Sequence, residues 1–594
     1  MGDDVKLKGG GFLLAELLPE DVFTPEDMTE EHKMILQTTH DFVQGEILPH
    51  EDQIEEKDKD LVRSILAKAG ELGLNGTDIP EEFGGLGLDK IATAAVTEAM
   101  GTSGSFAVAH GAHTGIGTLP TVYFGTREQK AKYLPGLASG ELCGAYALTE
   151  AGAGSDATRS KTKAVLSEDG KYYILNGEKM FITNAGWADL FTVYAMVDGE
   201  SFTAFLVEAG FPGVSTGAEE VKMGIKGSST RPLVLEDAQV PVENVLHQIG
   251  LGHQVAFNIL NIGRYKLAAA SVGGCKECLA QATKYANQRI QFGQPISKFG
   301  MIREKLAWMV AKTYMAEAMV YRTSGLIDAE AKKVDLTAED APRKSLAAIE
   351  EYAIECSINK VFGSEVLDYC VDENVQILGG YGYVAEYPAE RHYRNARINR
   401  IFEGTNEINR LLVPGTLMRR AMKGALPLLA AAQAVQGDLM TYTTMGLQIP
   451  DEPLAMVAHM IGMAKKTALL TAGLAAQKFM QSLTNEQEVL ARIADILIEI
   501  YAMESGYLRA KKALDRLGAD KAALHLACVR SYVDETVPQI EAWAKEALAQ
   551  CESGDTLRTI FMGVKKFMKY TPINAIAERR IIADKVVELE RWPI

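Results

Sequence analysis

Lys171-Tyr-Tyr-Ile-Leu-Asn-Gly-Glu-Lys-Met-Phe-Ile-Thr183 interrupts a chain whose other patterns are mostly helical. Alternating runs rich in aromatic and β-branched residues flank Asn176-Gly177, a pair that favours two-residue turns, so the stretch predicts a β-hairpin. Short runs over 190–197, 202–208, 213–217 and 231–240 read as further strands. A β domain over 146–250 follows from them.

On the N-terminal side, residues 21–145 read as a helical domain. Thr24-Pro25-Glu26-Asp27 has the order of a helix start, with a capping Thr, Pro in the first turn and acids after it. Helical patterns cover 30–44, 59–71 and 90–101, and Ile79-Pro-Glu-Glu-Phe-Gly-Gly-Leu-Gly87 punctuates them as a loop. Small residues dominate 107–117, as expected where helices pack closely or line a cavity. Residues 1–20 read as an N-terminal tail with acids at Asp3 and Asp4 and an apolar run at 12–14. It shows neither a secretory nor a transit pattern.

On the C-terminal side, 251–418 predicts a bundle of about four helices. A pattern over 255–288 is broken only at Gly273-Gly274, others cover 298–328, 339–378 and 407–412, and Pro414-Gly415 is expected to end the unit. Residues 419–594 form a further helical extension entered through Pro427, Pro450 and Pro453. Its apolar, Ala-rich stretch 425–439 reads as an ordinary packed helix or as one able to lie on a bilayer. The fold class is mainly α with a central β domain.

The 594 residues are 47% hydrophobic and 23% charged, the composition of a globular protein with real cores. A net charge of −17 argues against nucleic-acid binding, because no basic excess is available to neutralise phosphates. No apolar run is long enough to span a membrane. Seven scattered cysteines read as reduced thiols in the cytosol, and Cys275-x-x-Cys278 sits in a helical pattern without a partner pair, so no metal site is expected.

Five stretches can carry chemistry. Arg400-Ile-Phe-Glu-Gly-Thr-Asn-Glu-Ile408 places Glu403 among apolar neighbours and before a glycine; it reads either as a general base with a raised pKa or as a surface helix cap. Tyr146-Ala-Leu-Thr-Glu-Ala-Gly-Ala-Gly-Ser-Asp156 offers backbone and hydroxyl donors to a phosphate or ring edge, or is a plain turn. Phe181 and Thr183 would share one face of a strand. Arg289, Gln291 and Phe292 close the long helix, either to bind a pyrophosphate and stack on a base or to complement the helix dipole. Gln376-x-x-Gly379-Gly380-x-Gly382 lacks the strand before it that a Rossmann fingerprint needs.

The order helical, β, helical with these motifs resembles the acyl-CoA dehydrogenase family over about 30–420. Residues 147–156 resemble its first signature, departing at Arg159, where the family carries a small residue. Gln376, Gly379, Gly380, Gly382, Tyr383, Glu386, Arg391 and Asn395 resemble the second. Gly111-Ala-His113, the run from Asn258 to Arg264 and the C-terminal extension resemble the very-long-chain branch. The resemblance implies an N-terminal helical domain, a β-barrel or sandwich, a four-helix bundle and an extra C-terminal helical domain. It implies bound FAD and α,β-dehydrogenation of fatty acyl-CoA thioesters, of long or very long chain, to trans-2-enoyl-CoA in fatty acid β-oxidation. Electrons would pass to electron-transfer flavoprotein.

By the same resemblance Glu403 is the catalytic base, and Gly263 occupies the position that carries the base in other branches. Tyr146, Leu148, Thr149, Ser155, Phe181, Thr183, Thr405 and Glu407 would contact the cofactor. Arg289, Gln291, Phe292, Gln376, Gly379 and Gly380 would reach the cofactor of a neighbouring subunit in a homodimer. Ser155, Asn261, Arg264, Phe402 and Gly404 would hold the substrate. A cytoplasmic location with peripheral membrane contact is the accompanying expectation. An acyl-CoA oxidase and an assembly scaffold of the same kinship are the alternatives.

Overall fold

The computed structural model describes residues 7–334, 341–441 and 452–594. The expectations at Asp3, Asp4 and Pro450, and the start of the helix predicted from 339, lie outside these. The N-terminal helices are α1 (Glu30–Phe42), α2 (Lys59–Glu71), α3 (Lys90–Met100), α4 (Gly104–Ala112) and α5 (Arg127–Ser139). Capping side chains fix where several begin: Thr29, Asp58, Asp89 and Thr126 each accept a backbone N–H in the first turn. Thr24-Pro25 opens only the single turn Pro25–Asp27, and α1 starts beyond it.

The β domain is one sheet of β1 (Gly144–Ala147), β2 (Lys163–Leu166), β3 (Tyr172–Thr183), β4 (Leu190–Val197), β5 (Ser201–Glu208), β6 (Val214–Thr216), β7 (Thr230–Pro241) and β8 (Val245–Leu246). Its order is β6-β7-β3-β2-β4-β5-β8, with β1 parallel to β4. The hairpin predicted at Asn176-Gly177 is absent, because both residues lie inside β3 at a register shift against β7. Gly177 is needed there because a Cβ would stand 2.5 Å from Thr162 Oγ1. The Asn176 amide bridges strands: Oδ1 accepts from Asp237 N at 2.9 Å and Nδ2 donates to Asp237 Oδ1 at 3.0 Å. The reversal falls earlier, where Gly170 adopts φ 70° between β2 and β3.

The bundle is built on α6 (Gly252–Gln288), α7 (Gly300–Ala331), α8 (Ala341–Glu351), α9 (Ala353–Leu378), α10 (Pro388–Ala396) and α11 (Asn406–Met422). No break occurs at Gly273-Gly274. A Cβ on Gly273 would stand 1.9 Å from Glu98 O, so the glycine serves contact with α3 rather than a bend. Pro414 does not end α11 either; Val413, Pro414 and Leu417 are all buried, and core packing carries the helix through the proline.

The helix predicted over 339–378 divides at Tyr352 into α8 and α9. The cause is the N-terminal segment, which packs into the fold at this joint. Gly9 N donates to Glu351 Oε1 at 3.0 Å, Gly10 N donates to Glu355 Oε1 at 2.7 Å, and Tyr352 OH donates to Leu7 O at 2.7 Å. Phe12 and Leu13 are buried in the main core, and Phe12 meets Tyr501 edge-on at 5.0 Å.

The extension comprises α12 (Leu428–Thr441), α13 (Ala455–Phe479), α14 (Gln487–Leu517), α15 (Ala523–Cys551), α16 (Gly554–Phe567) and α17 (Ala575–Leu589). It shares one core with the bundle, and buried ion pairs cross the boundary at Arg322–Glu504 and Arg509–Glu317. Helix α12 packs on the fold through Ala432, Val435 and Leu439 and leaves Leu429 exposed on another face. Among the described residues no helix is long and apolar enough to cross a membrane. All seven cysteines are free and buried.

Candidate active site

Glu403 sits on the turn that leads into α11. Its φ of 58° and the φ of 78° at Gly404 form a left-handed pair, which only a glycine adopts without strain at the second position. Asn409 holds the turn from within α11, its Nδ2 lying 2.8 Å from Gly404 O and 3.0 Å from Thr405 O. Thr405 caps the helix, accepting from Ile408 N at 3.2 Å. A side chain forced into a left-handed conformation and held by such a cap marks stored strain of the kind found at functional sites.

The Glu403 carboxylate points at α6. A Cβ on Gly263 would stand 2.6 Å from Glu403 Oε2 and 2.8 Å from its Cδ, so the glycine makes the room that the carboxylate fills. Oε2 is buried, and no described protein group donates to it. Burial raises the Glu403 pKa to about 7 against the opposing charges of Arg264 and Lys360. An unpartnered carboxylate poised near neutrality is suited to accept a proton.

Two cations support this corner. Arg264 is buried, donates to Asn261 Oδ1 at 2.7 Å and places Nε 3.4 Å from Glu403 O. Lys360, fully buried on α9, donates to Asn406 Oδ1 at 2.6 Å, and burial lowers its pKa to about 7. Asn406 in turn donates to Ser364 Oγ and Glu365 Oε1, at 3.1 and 3.0 Å. Sequence reading identified Asn261 and Arg264 but missed Lys360, Asn406 and Asn409, whose types and spacing are those of any polar helix face.

On the β side, Tyr146 and Leu148 are buried, Thr149 is half-buried and Ser155 is exposed. No atom lies within 4 Å of where a Cβ would stand on Gly152 or Gly154, so backbone there is open to a ligand. Glu150 anchors the loop: it accepts from Ser160 Oγ, Lys161 N, Thr162 Oγ1 and Lys179 Nζ at 2.5 to 2.6 Å. Met180 N donates to Thr149 O at 2.8 Å, which ties the loop to β3 beside Phe181 and Thr183. Phe181 is 59% exposed with a φ of 58° at a register shift of β3 against β7, so the alternation expected to put Thr183 on its face is broken there, and Thr183 is half-buried. Phe402 and Glu407 flank the Glu403 turn, and Glu407 stays acidic through its own backbone and Thr405.

The remaining predicted cofactor residues collect elsewhere. After α6 the chain makes a small hairpin, β9 (Ile290–Gln291) with β10 (Gln294–Pro295), turning at Phe292 and Gly293 with φ 51° and 80°. Arg289, Gln291, Gly379 and Gly380 line one open cleft of about 600 Å³, with Tyr285 and Tyr381 as its aromatic walls. Arg289 lies over the Tyr381 ring at 5.6 Å. Phe292 stands at the hairpin tip, 93% exposed, and Gln376 is exposed on α9. None of the residues around Glu403 lines this cleft.

A second, narrow cavity of about 90 Å³ lies between α4, α6 and α9. Gly101, Gly104, Ala107, Ala270 and Gly274 line one part of it, and Leu367 and Val371 another. Ala270 and Gly274 fall on the same face of α6 as Gly263, about 10 and about 16 Å further along at 1.5 Å per residue. Of the small-residue stretch 107–117, Ala107 and Val108 line this cavity and Gly117 packs closely on Gly144, while Gly101 and Gly104 went unread.

Four family models match the chain: acyl-CoA dehydrogenase N-terminal domain over 29–141, middle domain over 145–238, and C-terminal domain models over 250–418 and 463–566. A probable acyl-CoA dehydrogenase of Bacillus subtilis (strain 168) is 53% identical over 593 residues, covering 99% of this chain and 98% of the relative. The very long-chain specific acyl-CoA dehydrogenase, mitochondrial, of Homo sapiens is 38% identical over 474 residues, 75% of this chain and 69% of the relative. The crystal structure of an acyl-CoA dehydrogenase complexed with FAD from Bacillus anthracis superposes with a TM-score of 0.97 at 54% identity, covering 99% of this chain and all of that one.

Proposed function

The chain belongs to the acyl-CoA dehydrogenase family, and from that premise we propose that it binds FAD and converts long-chain fatty acyl-CoA thioesters to trans-2-enoyl-CoA. The observation that carries the reading is the Glu403 carboxylate, seated over Gly263, unpartnered at Oε2 and raised to about 7.

The residues present fit the cofactor. The open backbone at Gly152 and Gly154, the Thr149 and Ser155 hydroxyls and the exposed face of Phe181 beside Thr183 suit a planar ring system with polar edges. Arg289, Gln291, Gly379 and Gly380 would take the adenine half belonging to a second copy of the chain, a reading supported by the exposure of Phe292 at the hairpin tip. FAD, when bound, supplies the acceptor for the β-hydrogen. Glu403 takes the α-proton, for which a base near neutrality is well matched. Its backbone N–H, fixed by the left-handed turn, is the chain's donor to the thioester oxygen on which charge develops. Arg264 and Lys360 keep enough of the carboxylate ionised for it to act as that base. Asn261 and Arg264, hydrogen-bonded to each other one turn apart on α6, are read as contacts of the CoA–pantetheine arm.

The cavity lined by Ala270 and Gly274, on the face of α6 that carries Gly263, favours a long acyl chain. Gly274 lies about 16 Å beyond Gly263, which an extended chain of 1.5 Å C–C bonds spans with roughly a dozen carbons. Electron-transfer flavoprotein as electron acceptor, a homodimer, a cytoplasmic setting and peripheral membrane contact through the extension complete the proposal. The test is turnover of an acyl-CoA series from C4 to C20 with electron-transfer flavoprotein or an artificial acceptor. A kcat/KM maximum at C12 or longer is expected. A maximum at C4 to C6 overturns the chain length, and no turnover with any member overturns the activity.

A further inference from the structure

The narrow cavity along α6 does not end on apolar groups. Beyond Gly274, Glu277 and Cys278 line it from α6, and His392, Asn395 and Asn399 line it from α10 and the turn that follows. Cys278, at the far end, lies about 22 Å along α6 from Gly263.

Most polar groups here are satisfied within the protein. Thr102 Oγ1 donates to Ala99 O at 2.8 Å, Ser271 Oγ donates to Leu267 O at 2.8 Å, and Glu277 accepts from Gln281 Nε2 at 2.8 Å. His392 Nδ1 stands 3.9 Å from Cys278 Sγ. Asn395 differs. It is 8% exposed, its Oδ1 accepts from Ile225 N at 2.5 Å, and its Nδ2 is buried with no described protein group accepting from it. Gly104, on the opposite wall, has no side chain, and the point its Cβ would occupy lies 3.5 Å from Asn395 Nδ2. The amide donor borders the space that Gly104 leaves open, and Glu51 Oε1 borders it from 3.4 Å. Leaving such a donor unmatched in the interior is costly, and an acceptor arriving in the cavity recovers part of that.

We propose that the far end of this cavity recognises a neutral hydrogen-bond-accepting oxygen near the ω end of the acyl chain, so that the protein turns over long-chain acyl thioesters bearing a terminal oxo or ester group. A terminal carboxylate is disfavoured. Glu51 Oε1 stands 3.4 Å from the same point beside Gly104, and Glu277 lines the cavity. The inference rests on the reading of the protein as a long-chain acyl-CoA dehydrogenase.

The test compares kcat/KM of the FAD-loaded protein for 15-oxohexadecanoyl-CoA and hexadecanoyl-CoA with an artificial acceptor. In an apolar cavity the buried ketone would go unpaired and the ratio would fall at least roughly tenfold below one. Here the expected ratio is one or greater. Asn395→Asp keeps an oxygen to accept from Ile225 N but replaces the donor with a second acceptor; it is expected to lower the ratio roughly tenfold or more. Affinities of both thioesters for the non-reacting Glu403→Gln protein, with and without Asn395→Asp, provide the same ratio independently of turnover. A wild-type ratio below one tenth, or the same ratio with and without Asn395→Asp, overturns the inference while leaving the dehydrogenase reading intact. Failure to turn over hexadecanoyl-CoA at all overturns both.

Discussion

Gly263→Ala separates catalytic geometry from stability. The new Cβ would stand 2.6 Å from Glu403 Oε2, 2.8 Å from Cδ and 3.0 Å from Oε1. Carbon contacts are comfortable at about 3.5 to 4 Å, so the carboxylate has to retreat by about 1 Å. The fold should absorb this easily, because the atoms that move end a rotatable side chain. Alanine also gains about 0.8 to 1 kcal/mol of helix propensity over glycine inside α6. The reaction should not absorb it, since a 1 Å misplacement of a reacting group costs on the order of a hundred-fold, or about 2.7 kcal/mol of transition-state stabilisation. The assay is kcat/KM with the preferred acyl-CoA, alongside a thermal melt and the flavin absorbance of the purified protein. The expected result is a loss of about a hundred-fold with flavin content and melting temperature held or raised. Wild-type kcat/KM in the Gly263→Ala protein would refute the placement of the base over Gly263.

Other consequences follow from the same geometry. Because burial raises Glu403 to about 7 against the pull of Arg264 and Lys360, kcat/KM should rise tenfold per pH unit below about 7 and level off above it. Lys360→Met removes one of the opposing charges and should move that limb to higher pH; a pH–rate profile with the limb unmoved contradicts the assignment. The raised carboxyl also makes a stability prediction. The folded protein holds this proton more tightly than the unfolded chain, so the contribution is present below the ordinary carboxylate pKa and lost as pH rises through about 7. Glu403→Gln should therefore raise the melting temperature more at pH 8 than at pH 5. In the N-terminal segment, Phe12 is 3% exposed and packed on Tyr501, so Phe12→Ala should cost about 3 to 5 kcal/mol. A denaturation midpoint equal to that of the wild type would mean that the segment does not hold the extension to the bundle.

What the sequence reveals depends on how locally each feature is determined. The strands at 190–197 and 231–240 are legible because β propensity, apolar runs and bounding turns agree. Asn176-Gly177 misleads because its local preference is for a turn, whereas a contact from Thr162 and the amide bridge to Asp237 hold both residues inside one strand. Gly273 and Pro414 mislead in the same way: a backbone contact with Glu98 explains the first, and core burial on both sides overrides the second. The buried N-terminal segment is invisible in sequence, since its partners Glu351, Glu355, Lys465 and Lys512 lie hundreds of residues away. In the site, Glu403 stands out by its apolar neighbours and its glycine. Lys360 and Asn409 do not, because a buried lysine and an amide that holds a turn become special only through what surrounds them.

Glu403 acts as the base of a flavin-dependent dehydrogenation in this reading, and flavin reduction in Glu403→Gln reports on that role without the later steps of turnover. The exchange is nearly isosteric and removes the proton acceptor while keeping the turn held by Asn409 and Thr405. Anaerobic mixing of the FAD-loaded variant with a long-chain acyl-CoA, followed by flavin absorbance, should show bound flavin and bound thioester but essentially no bleaching. Flavin reduction at a rate close to that of the wild type would contradict the account.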